Sequence, residues 1–238
     1  MTRHGIMRGM RRTVWGILAA LIMVLATGCS FATEDPNYVP PAPLPPLEQL
    51  QQVPVTEQTT LSAGEDVTAF ITADKNIVCA LTSSRGGHLN LPYEANSYSD
   101  AANNKFAVVP VAHCELAKYA KPDLDDIVED CAGTGLGYLG GTALLTPEKA
   151  VYGSCRSGVT QMESEFGPKG SGGGPVSKLR ELPEGQNIER NGLRCSAYNG
   201  GVACGNVSGG VAFFVNREGY QLISDGGKTV RGNLKEAS

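Results

Sequence analysis

From residue 66 onward the apolar positions come in short runs split by polar or glycine-rich breaks. "DVTAFIT" (66–72) and "NIVCALT" (76–82) are apolar and β-branched, with the turn-like "ADK" between them. "TALL" (142–145) and "AVYG" (150–153) flank "TPEK", where Pro147 has the fixed φ that a turn position wants. "LRCSAY", "GVACGNV", "VAFFVN" and "GYQLIS" follow one another between 193 and 224, with Gly, Asn or Asp in the breaks. Strands this short, with turns this frequent, predict an all-β domain: a small antiparallel barrel or sandwich built of hairpins. In "VAFFVN", Val211, Phe213 and Val215 share one face while Ala212 and Phe214 share the other, the pattern of a strand buried on both sides. Helical patterns are few, with "DAANN", "CELAKYA" and "LDDIVED" each good for a turn or two. "GPKGSGGGP" (167–175) reads as a flexible loop leaving the core.

The N-terminus follows a different pattern. Arg3, Arg8, Arg11 and Arg12 precede an apolar stretch from Val14 to Ala26, and Thr27 and Gly28 follow as a small-residue exit. That layout is a secretory signal peptide, and the stretch falls short of the roughly 20 apolar residues of a bilayer span. "LATGC" resembles the bacterial lipobox, with Ala26 where leucine is commoner. The resemblance makes residues 1–28 a lipoprotein signal and Cys29 the lipidated first residue of the mature chain. A diacylated cysteine carries the two chains that stable anchoring requires. Secretion with Cys29 discarded is the alternative, and the Arg11-Arg12 pair leaves Sec and twin-arginine export both open. Residues 29–60 follow as a tether holding seven of the 14 prolines, a composition that favours extended polyproline II. In it "LEQLQQ" could dock as one helical turn. Residues 61–238 then suffice for a single domain with its own core.

Charge narrows the partners. Loss of the four signal arginines takes the chain from a net −4 to about −8, so neither nucleic acid nor anionic lipid is an expected electrostatic partner. Six cysteines remain after Cys29: Cys79, Cys114, Cys131, Cys155, Cys195 and Cys204. An even number in an exported chain predicts disulfides, and six allow 15 pairings. One can be derived. In "CSAYNGGVAC" the Asn199-Gly200 pair is the favoured two-residue type I′ hairpin turn, which places Cys195 opposite Cys204 at a non-hydrogen-bonded site, close enough to bridge. Neighbour order suggests Cys79 with Cys114 and Cys131 with Cys155, leaving the other pairings of those four open. No Cys-x2-Cys spacing points to zinc, and no metal or cofactor is expected.

Candidate chemistry is sparse. "GLGYLG" (135–140) has Gly-x-Gly-x-x-Gly spacing, but it runs into "GTALL", so its glycines read as turn or bulge residues. The mature chain has two histidines, His88 and His113, and no Gly-x-Ser-x-Gly elbow to make a Ser-His-Asp triad. Asp123, Asp125, Asp126, Glu129 and Asp130 form an acidic cluster. It lacks the alternation of a calcium loop and reads as a solvated turn, although two carboxylates could in principle serve a hydrolase. Arg217, in the turn of "FFVNREGYQL", and Tyr220 are the candidates for recognition of an anion or carboxylate, or for a structural network.

"FITADKNIVCAL" and "LPEGQNIERNGLRCSAYNGGVACGNVSGGVAFFVNREGYQLI" together resemble an uncharacterised domain family of exported proteins and lipoproteins, mainly actinobacterial. The matching positions are Asn76, Ile77 and Cys79, then Cys195, Gly201, Val202, Cys204 and Asn206, then Phe213, Arg217, Tyr220 and Leu222. The chain departs where "TADK" replaces a Ser-Pro-Ser-Gly turn and "GGVA" replaces a Gly-His-Gly, and residues 83–112 look like an insertion. The resemblance implies fold and location and carries no activity. The expectation is an extracytoplasmic lipoprotein held to the cell membrane through Cys29, whose domain is a non-enzymatic interaction module for an envelope protein or cell-wall component. A lipid- or glycan-binding barrel is the alternative, and a carboxylate-based hydrolase comes third.

Overall fold

The computed structural model describes residues 42–56, 62–64, 67–85, 107–224, 226–232 and 234. Cys29, His88 and the "DAANN" segment lie outside these. Residues 43–238 form one compact unit. Its first element is a short helix, α1 (Pro46–Gln52). Thirteen strands follow among the described residues: β1 (Ser62–Gly64), β2 (Val67–Thr72), β3 (Ile77–Arg85), β4 (Val108–Leu116), β5 (Gly137–Leu145), β6 (Ala150–Arg156), β7 (Glu181–Leu182), β8 (Asn187–Arg190), β9 (Leu193–Tyr198), β10 (Gly201–Asn206), β11 (Val211–Asn216), β12 (Tyr220–Ser224) and β13 (Lys228–Gly232). A second helix, α2 (Gln161–Phe166), lies between β6 and β7.

Strands β1 to β6 make one antiparallel meander, and β8 to β13 make another. The two sheets stay separate, so the fold is a sandwich and not a closed barrel. Strand β7 pairs with β2 in parallel, and Val55 makes a parallel bridge with Asn187. The two meanders repeat one plan. Across β2 to β6 the facing residues are Phe70, Cys79, Cys114, Ala143 and Tyr152. Across β8 to β12 they are Ile188, Cys195, Cys204, Phe213 and Leu222. Both rows point into the same core. The disulfides Cys79–Cys114 and Cys195–Cys204 each join directly opposed residues, and they meet back to back, with Cys114 Sγ 3.9 Å from Cys204 Sγ.

The β9–β10 hairpin has the register that its turn dictates, Tyr198 opposite Gly201 through Cys195 opposite Cys204. Asn199 and Gly200 have φ of 51° and 66°, the left-handed values of type I′. "CELAKYA" corrects the sequence reading: its first residues finish β4, a strand in which Pro110 sits opposite Ser83. Three-residue helical periodicity in so short a run gives way to the pairing that a sheet supplies. "LDDIVED" yields only a 3-10 turn at Leu124–Asp126. Helix α2 starts with a capping box. Thr160 Oγ1 accepts from Glu163 N while a Glu163 carboxylate oxygen accepts from Thr160 N.

Each sheet is covered on its outer face. Met162 of α2, Val176 and the flanking Phe166 and Leu179 pack on Ile71, Val78 and Ala117. The glycine-rich loop between them is tied down: Glu165 is buried and its carboxylate accepts from Val176 N at 3.0 Å and Ser177 N at 2.9 Å. On the other sheet, Leu50 of α1 packs with Tyr198, Ala203 and Phe214, and Leu47 with Ala212 and Ile223. This explains why "VAFFVN" is apolar on both faces. The last carbonyls of α1 need donors, and buried Asn187 supplies them: its Nδ2 donates to Gln49 O, Leu50 O and, at 3.0 Å, Val53 O. Replacing Asn187 with alanine is expected to cost about 1–2 kcal/mol. Hydrogen exchange should show faster exchange through residues 46–53 and little change in β10 and β11.

Candidate interaction surface

Strand β6 ends the first meander and would present a free edge, a hazard that proteins cover or disrupt. Here the chain leaving β4 crosses that edge as a strap, residues 117–136. Its attachments run in sequence. Ala120 O accepts from Tyr152 Oη at 2.6 Å. Asp123 N donates to Tyr220 Oη at 2.8 Å, and the same phenol donates to buried Asp126. Glu129 Oε2 accepts from Cys155 N at 2.9 Å. The disulfide Cys131–Cys155 closes the series.

Beneath the strap, Tyr152 and Tyr220 stack across the sandwich with ring centroids 3.9 Å apart. Burial pushes the Tyr152 phenol up to about 12. Burial, reinforced by Asp126 and Asp123, moves Tyr220 in the same direction. Unfolded tyrosine titrates near 10, so both rings favour the folded state while protonated. That stabilisation is complete below about pH 10 and is lost as pH rises toward 12. Thermal melts from pH 8 to 12 should fall steeply over this window, and the fall should be shallower in Tyr152→Phe.

Tyr220 is therefore a buried core and strap residue, not an exposed recognition group. Arg217 is exposed and pairs with Asp74 at 2.8 Å, linking the β11–β12 turn to the β2–β3 turn. Burial works against the Asp74 carboxylate, but hydrogen bonds from Thr72 and Arg217 outweigh it and hold the group below its usual range. The structure does not bring Arg217 and Tyr220 together with further polar groups into one binding site among the described residues. His113 lies on β4. Burial drives its pKa down to about 4 and keeps the ring neutral at physiological pH. The glycines of "GLGYLG" enter β5 without a following helix. Gly140 and the next residue, Gly141, mark a bulge whose backbone lies against the Tyr119 ring, and Gly141 has φ of 84°.

On the outer side of β4 to β6, sequence reasoning missed a polar network. Arg156 Nη1 lies 2.9 Å from Glu163 Oε2. Arg156 Nη2 donates to Tyr119 Oη at 3.0 Å and Gly140 O at 2.7 Å. Tyr119 donates to Glu163 Oε1 at 2.7 Å, and Met162 N donates to Glu115 Oε2 at 3.0 Å. Burial raises Glu115 above the usual carboxylate range despite these contacts and the nearby Arg156 charge. Both terminal nitrogens of the arginine are engaged, by Glu163 of α2, Tyr119 of the strap and Gly140 O of β5, while its Nε is buried without a partner, so the network locks α2 and the strap onto the sheet.

The acidic cluster is divided by these contacts. Asp126, Glu129 and Asp130 bond to Tyr220, Cys155 N and Ala132 N respectively, which assigns them to holding the strap. The strap's apolar residues face the opposite way. Leu124 is 86% exposed, Val128 49%, Ile127 39%, and Leu136 and nearby Leu139 38% each. An open depression beside the β5–β6 turn, lined in part by Lys149, Val211 and Ile223, measures about 220 Å³. This is below the ~300–1,000 Å³ usual for small-molecule pockets. No protein-family profile, curated protein or solved structure matches the chain.

Proposed function

We propose that the chain is a cell-envelope lipoprotein, anchored through lipidated Cys29 on the extracytoplasmic face of the membrane and carrying a non-enzymatic interaction module. The N-terminal layout, the "LATGC" lipobox and the proline-rich segment support the anchor and the spacing from the membrane. The observation that carries the interaction reading is the strap. Its side of the sandwich is fixed by a disulfide and several hydrogen bonds, yet it turns large apolar side chains to solvent. Contiguous apolar surface left open to solvent is a mark of interaction sites on folded domains.

Two measurements test the reading. Expressed with an alkyne-tagged palmitate, the chain should carry label and partition with detergent, and Cys29→Ala should abolish both. In-envelope crosslinking followed by mass spectrometry should then enrich the same protein or wall component repeatedly from the anchored chain and lose it from Cys29→Ala. Capture that is independent of the anchor, or no reproducible capture, overturns the proposed role.

A further inference from the structure

We infer that the strap docks a polypeptide segment of another protein, with apolar side chains at its centre and Lys or Arg flanking them. The inference rests on the interaction-module reading and adds the place and the partner's chemistry.

The apolar centre comes from Leu124, Ile127 and Val128, which turn to solvent between attached neighbours. The buried Asp126 is bonded to Tyr220 between them, and Glu129 and Cys131 bind Cys155 just beyond. Leu136 and Leu139 belong to the same end of the sheet, because Leu139 stands opposite Ser154, the neighbour of Cys155. The strap's backbone is pinned at Asp123 N and at Cys131, so docking orders less of the chain than a free loop would require.

Charge selects among occupants. Asp123, Asp125, Glu129 and Asp130 are exposed and interleave with the apolar residues. A second copy docked through the same surface would oppose acid to acid, and anionic lipid or nucleic acid would be repelled likewise. A segment with cationic residues around an apolar centre matches both features, since complementary rims steer encounter and apolar centres hold the complex.

The test places a photo-crosslinking amino acid at Val128 of the full-length lipoprotein in its own envelope, with a control at exposed Glu184. Illumination at Val128 should yield one dominant adduct. Its crosslinked peptide should contain apolar residues flanked by Lys or Arg. Asp123→Lys with Asp125→Lys, neither side chain anchoring the strap, should reduce that adduct at least tenfold while leaving the melting temperature unchanged. Adducts from Glu184 but not Val128 overturn the placement and leave the interaction reading standing, whereas adducts from neither overturn both. An adduct with a second copy, with lipid, or with a segment lacking cationic residues overturns the inference, as does an adduct unchanged by the two lysines.

Discussion

Replacing Arg156 with methionine lowers the unfolding free energy by about 3–5 kcal/mol, the usual cost of removing one partner from a buried charge pair. The side chains of Arg156 and Glu163 are only 14% and 13% exposed, so water cannot easily replace the guanidinium. Methionine keeps most of the stem's packing and removes the charge and the donors to Glu163, Tyr119 and Gly140 O. The pH dependence separates electrostatics from packing. Glu115 is already raised by burial, and Arg156 is one of the influences pulling it back. Without the arginine its folded pKa rises further above the unfolded value. The added penalty is complete above the folded pKa and vanishes as pH falls below the unfolded one. Chemical denaturation of Arg156→Met should therefore show a larger deficit at pH 8 than at pH 4.5. An equal deficit at both would assign the loss to packing alone.

Removing the Cys79–Cys114 bridge, as Cys79→Ala with Cys114→Ala, is expected to cost about 4 kcal/mol. Removing Cys195–Cys204 in the same way should cost about 2.6 kcal/mol. The two bridges occupy equivalent positions in the two meanders and share the core, so the packing loss is similar. What differs is the loop each closes. The sequence separation is 35 residues for the first and 9 for the second, and the longer loop removes more entropy from the unfolded chain. Urea titrations of the two double variants decide the point. A larger loss for Cys195–Cys204 would show that native-state packing, not the unfolded chain, sets the contribution.

The hairpin that joins Cys195 to Cys204 was legible because its information is local. Asn199-Gly200 sets the turn, the turn sets the register, and period-two alternation sets which side chains face inward. The strands from Leu193 to Ser224 were legible for the same reason. Strand β4 was harder, since Pro110 and the helix-like "CELAKYA" argue locally against a strand that pairing with β3 and β5 then imposes. Helix α2 carried its signal in Thr160 and Glu163, a spacing that has meaning only once the helix start is suspected. Arg217 and Tyr220 lie three residues apart and looked like one candidate site. Pairing with Asp74 sends the first to the surface, while β12 buries the second against Tyr152.

Sequence by itself determined the all-β class and the register of the Cys195–Cys204 hairpin, and it supplied the exported, lipid-anchored layout as an expectation, because turns, alternation and a signal's apolar run act over a few neighbouring residues. Only the tertiary structure decided that the two meanders close on each other with their disulfides back to back. It alone placed Arg156, Glu163 and Tyr119 together, and it alone turned an acidic stretch inside out, with Asp126 against Tyr220 and Leu124 toward solvent. Two of those contacts, Cys114 with Cys204 and Asp126 with Tyr220, join residues 90 and 94 positions apart. Contacts at that range are selected by which surfaces must be buried together, and no local pattern along the chain encodes them.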